Sequence, residues 1–96
     1  MAIKTFTAQD QEIGPFLIDG PFNVKVLTDP GGSILTLKES HDGTTWYTSQ
    51  QGGSDATFNA KGTSVINNYG SCNYKLVCTT YVADTTAAMS SGRTKY

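Results

Sequence analysis

The stretch from Ser33 to Ser49 constrains the fold most, because both limbs and the reversal of a β-hairpin can be read in it. Ile34, Leu35, Thr36 and Leu37 suit a pleated, half-buried strand, and Asp42-Gly43 supplies residues that tolerate positive φ in a tight reversal. Thr44 and Thr45 restart extended structure. Trp46 then brings the largest apolar side chain of the sequence back against the strand of Leu35 and Leu37, which predicts Trp46 as a core anchor.

The remainder of the chain repeats this grammar of short strand and turn. Phe22, Val24 and Val26 alternate with Asn23 and Lys25 before Asp29-Pro30-Gly31-Gly32 ends the run. Cys72, Tyr74, Leu76 and Cys78 share one face of a second alternating run, with Asn73, Lys75, Val77 and Thr79 on the other, and the first set is expected to face the core. Shorter strands are predicted around Phe16 to Ile18, Asp55 to Asn59 with Phe58 inward, Thr63 to Asn67 and Thr85 to Met89, while Ala8 to Gly14 and Gln50 to Ser54 read as connections. Met1 to Thr7 reads as an edge strand or as an arm that pairs with a neighbour. Seven to nine short strands with regular turns predict an all-β fold, a single small antiparallel β-sandwich over residues 1–96, either immunoglobulin-like or a jelly roll. Mobile arms are expected at 1–7 and 90–96.

At 96 residues the chain makes one domain with a small core, since a chain this short hides only about 60 to 65 % of the surface its unfolded form exposes. A formal net charge of −1 without a basic cluster argues against nucleic acid, because phosphate neutralisation needs several convergent cations. No apolar run approaches the roughly 18 residues that cross a bilayer, and no signal-peptide core is seen, so a soluble, unprocessed chain without a membrane partner is expected. Cys72 and Cys78 lie six positions apart in one strand, which spaces them by about 20 Å at 3.3 Å per residue. A disulfide cannot span that, so free thiols are expected, as in a reducing cytoplasm.

The chemistry of catalysis is thin. His41 is the single histidine, and its flanking Ser40 and Asp42 point to opposite faces of an extended chain and cannot line up as nucleophile, base and orienter. A solvent-facing turn residue describes it better. The acidic residues are scattered beside turns, which leaves paired-carboxylate catalysis unsupported. Cys72 and Cys78, which point along one strand with no histidine expected nearby, read as small buried apolar side chains, not metal ligands. No catalytic residue, metal, cofactor or small-molecule substrate is therefore expected. The aromatic residues Trp46, Tyr47, Tyr69, Tyr74, Tyr81 and Tyr96 could line a sugar platform. For Trp46 the core is the better reading, which leaves Tyr47 facing the other way and exposed. Arg93, Lys95 and Tyr96 close the chain as a solvated tail or as an arm that docks on an acidic neighbour.

The hairpin Leu35-Thr-Leu-Lys-Glu-Ser-His-Asp-Gly-Thr-Thr-Trp46, followed some thirty residues later by Tyr74-Lys-Leu-Val-Cys-Thr-Thr-Tyr81, resembles small β-sandwich virion proteins of tailed bacteriophages. The resemblance covers about half of the chain, Ser33 to Tyr81, with one glycine where that group commonly has two and Lys75 where arginine is common. Discoidin-type domains share only the Asp-Gly turn before the tryptophan. The phage resemblance implies a capsid decoration, or cement, protein that is assembled in the host cytoplasm and binds the outside of the head. It implies the major capsid protein as partner, a homotrimer on the capsid symmetry axes and stabilised capsomer contacts. Within it, Ile3, Lys4 and Phe6 at one end and Arg93, Lys95 and Tyr96 at the other are the candidate partner contacts. A head-tail connector or tail protein, and a glycan-binding module, are the alternatives.

Overall fold

A computed structural model describes residues 2–90, so Arg93, Lys95, Tyr96 and nearly all of the expected tail lie outside the described residues. Eleven strands are present among the described residues: β1 Ala2–Phe6, β2 Glu12–Asp19, β3 Phe22–Val26, β4 Ile34–Ser40, β5 Tyr47–Thr48, β6 Gln50–Gln51, β7 Ser54–Asp55, β8 Thr57–Phe58, β9 Gly62–Ile66, β10 Ser71–Thr80 and β11 Thr85–Ser90. One sheet runs β1-β11-β3-β9, the other β2-β10-β4-β5 with β8 also on β4, and β6 and β7 pair with each other. Every pairing is antiparallel.

The strand order chooses between the two sandwich types left open above. If β5 and β8 are taken as halves of one edge strand, eight strands fall into two four-stranded sheets. The chain changes sheet at each step from β1 to β4 and again from β9 to β11. This is the double Greek key of a jelly roll.

The alternating runs become the two inner faces. Phe22, Val24 and Val26 of β3 meet Ala87 and Met89 of β11 in one sheet, and Leu35 and Leu37 of β4 meet Leu76 and Cys78 of β10 in the other. Tyr74 closes one end of this core, its ring 4.7 Å from that of Phe22. Each of these side chains is buried. Burying one Leu, Val or Phe stabilises the fold by about 1.5–3 kcal/mol, and the buried core of the described residues is built from these two inner faces.

The return limb of the hairpin departs from the expectation. The partners Lys38↔Thr48 and Glu39↔Tyr47 fix a register that places Trp46 opposite Ser40, on the outer face of the sheet. A one-residue difference in register exchanges the faces, so Trp46 is a half-buried residue outside the core, and Tyr47 takes the inner-face position at the exposed end of the sandwich. Past Ser49 the limb leaves the sheet as the β6–β7 hairpin, with Gly52 and Gly53 at its tip, then rejoins β4 at Ala56. Breaking this one limb into two-residue pieces raises the strand count above the expected seven to nine.

β2 also begins earlier than expected and runs straight through Pro15. It is an edge strand, where a missing N–H disrupts no ladder, and a register shift opposite Tyr74 and Leu76 absorbs the proline. Gly14 at φ +98° makes that bulge possible, since a Cβ there would stand 3.0 Å from the Tyr74 carbonyl oxygen.

Candidate functional site

β1 pairs along its length with β11 and so belongs to the sheet as an edge strand. Phe6, expected at a partner surface, is fully buried in the core of its own domain. The period of two that sends Phe6 inward carries Lys4 to the same side, where it is half-buried, and sends Ile3 outward, 65 % exposed. An inward-pointing lysine on an edge strand discourages indiscriminate strand addition. Of the three N-terminal candidates, Ile3 is the one presented to solvent.

Ile3 belongs to a wider surface. The registers align Ile3 with Ala88, Lys25 and Thr63 across the outer face of the β1-β11-β3-β9 sheet, and Ser90 with Asn23 and Val65 in the next row. Thr5 and Thr86 share a hydroxyl hydrogen bond of 2.8 Å in a third row, which Leu27 extends through its N–H to the Thr86 carbonyl. Ile3, Leu27 and Val65 are exposed, and Lys25 is the single charged residue in these rows. The face is nearly neutral and, among the described residues, bordered by the edge strands β1 and β9.

The opposite sheet has a polar corner. Leu35, Leu37 and Glu39 project to one side of β4, and Glu39 pairs with Tyr74, so the apolar inner row ends in a carboxylate. Continuing the same alternation brings His41 opposite Cys72. His41 Nδ1 stands 4.0 Å from Cys72 Sγ, and its Nε2 stands 3.6 Å from Glu39 Oε2. The expectation of a cysteine with no histidine nearby is thus corrected. The signal was present in the spacing of Leu35, Leu37, Glu39 and His41, but the Asp42-Gly43 turn drew His41 into the loop.

The loop that carries His41 is held by its own side chains. Asp42 Oδ1 accepts from the Thr44 and Thr45 amides and from the Ser40 hydroxyl, whose oxygen in turn accepts from Gly43 N–H. The two amide donors keep the Asp42 carboxyl well below the usual carboxylate range. Gly43 sits at φ +81°, as the turn residues require. Cys72 is 5 % exposed and donates to the Ser40 carbonyl at 3.4 Å. Burial and then the nearby Glu39 carboxylate push its thiol up, so free Cys72 is a thiol, not a nucleophilic thiolate, at neutral pH. Both cysteines are free and buried.

Trp46 packs on the outer face of this sheet with Lys75 Nζ 4.6 Å from its ring centroid, and the same ammonium lies 3.3 Å from Glu12. Tyr47 is exposed beside its cross-strand partner Glu39, and Tyr81 donates its hydroxyl to Asp84 at 2.7 Å. No helix among the described residues is long and apolar enough to cross a membrane. Comparison with protein-family models, curated proteins and solved structures returned no match.

Proposed function

We propose that the protein is a non-enzymatic structural component of a tailed-phage virion, a decoration protein that binds the outside of the head. The outer face of the β1-β11-β3-β9 sheet carries this reading. It offers exposed Ile3, Leu27 and Val65 on a sheet face with one cation, between two strands that are edges among the described residues, the kind of area a shell of repeated subunits can cover without desolvating many charges. The likeness of the Leu35–Trp46 hairpin and the Tyr74–Tyr81 strand to phage virion proteins supports it, and the jelly-roll architecture, common among viral capsid domains, adds an analogy of fold. The partner is the major capsid protein, and three copies around a capsid symmetry axis would give each an equivalent site.

The test is cosedimentation with heads assembled without this protein. Ile3→Glu combined with Val65→Glu places two carboxylates on the exposed face without touching the core. The folded double variant is expected to lose attachment, and attachment at the level of the unaltered protein would overturn this choice of surface.

A second reading rests on Tyr47, which is exposed and pairs across the strands with Glu39, an aromatic and a carboxylate of the kind that suits a sugar. A glycan array separates the two. A decoration protein gives no hit, whereas a hit abolished by Tyr47→Ala would favour a glycan-binding module.

A further inference from the structure

We propose that Glu39, His41 and Cys72 form a binding site for a borderline-soft divalent transition-metal ion, zinc above all. The ligand atoms of the three residues, a carboxylate oxygen, one imidazole nitrogen and the thiol sulfur, all lie within 4.8 Å of one another. Oxygen, nitrogen and sulfur donors together match zinc, whereas calcium and magnesium would be served by oxygen alone.

The geometry is close to closed. Bonds of about 2.0 to 2.3 Å in a tetrahedral site set neighbouring ligand atoms roughly 3.3 to 3.8 Å apart, so a spacing of at most 4.8 Å has to narrow by no more than about 1.5 Å. That movement falls on the ring of His41, whose side chain is 75 % exposed: Nδ1 is the nitrogen nearer Cys72 and Nε2 the one nearer Glu39, so the ring turns to bring one of them onto the shared ion. Cys72 and Glu39 are anchored on β10 and β4, which are paired through seven positions from Asn73↔Ser40 to Thr80↔Ile34. The rigid part of the site is supplied by the sheet, and the adjustable part by the loop.

The charges also close. On binding, Cys72 loses its proton to solvent and its sulfur takes the metal, while Glu39 binds through a carboxylate oxygen and His41 through an imidazole nitrogen. Two negative charges then face a divalent cation. The exposed side of His41 leaves the fourth position open to water. Glu39 and Cys72 lie more than thirty residues apart in sequence, so the unfolded chain does not hold the set, and metal binding is expected to stabilise the fold.

Cobalt(II) is the probe, added to the purified full-length protein after treatment with a chelator. One equivalent per chain is expected to give the near-ultraviolet thiolate-to-cobalt charge-transfer band, displaced by zinc, and zinc is expected to raise the thermal midpoint. Cys72→Ala should abolish the band. His41→Ala changes an exposed loop residue and leaves the fold intact, and it should weaken cobalt binding by at least about tenfold. Absence of the band at excess cobalt would overturn the site. So would a band that His41→Ala leaves unchanged, or a stoichiometry of one metal per two chains.

Discussion

The ammonium of Lys75 lies 4.6 Å from the centroid of the Trp46 ring, on the outer face of the β2-β10-β4-β5 sheet. The single tryptophan of this chain is therefore spent on covering a strand from outside, where its face is turned to a cation. Such a pair contributes about 0.5 to 2 kcal/mol according to how far it is desolvated. A double-mutant cycle of Trp46→Leu and Lys75→Met, read by urea unfolding, should return a coupling in that range. The emission of Trp46 should be that of a partly solvated indole. A coupling of zero would contradict the contact.

Two buried serines give opposite expectations for the same substitution. Ser33 Oγ accepts from the Val82 and Ala83 amides and donates to the Ala83 carbonyl, tying the loop before β4 to the loop before β11. Ser33→Ala strands those amides and should cost about 1–3 kcal/mol. Ser49 Oγ is buried and finds no partner among the described residues, so Ser49→Ala should leave stability unchanged or raised. Denaturant midpoints of the two variants decide it.

On β1, Phe6→Ala should cost about 3–5 kcal/mol, because the ring fills the core. Ile3→Ala should stay within about 0.5 kcal/mol of the parent, because it faces solvent. Equal losses measured by urea unfolding would contradict the assignment of the two faces.

Burial, and then the charges of Cys72 and Glu39, push the Tyr74 phenol up to about 12. A raised folded value means that this stability is complete below the unfolded value of about 10 and is lost as pH climbs through the folded one. Urea midpoints should therefore fall between about pH 10 and 12. Tyr74→Phe keeps the ring against Phe22 and should resist that fall. Identical alkaline profiles would contradict a buried, neutral phenol.

The fold was largely legible in the alternation of β3 and β10, because a period of two sustained over five to ten residues allows one face to be buried. Register was not. Trp46 and Tyr47 exchange faces through the width of the 41–46 loop, a distance that Asp42-Gly43 alone does not encode. Pro15 hid a strand because the sequence does not say which strands lie at an edge. The Glu39–His41–Cys72 corner was hidden because its members come from two runs whose pairing is set only in three dimensions.

The proposed role places this protein on the head of a tailed phage, and its copy number relative to the major capsid protein in purified particles tests that role most directly. Decoration of the head predicts a number comparable to that of the capsid protein. A count fit for a single ring or spike, or complete absence from the particles, would contradict it.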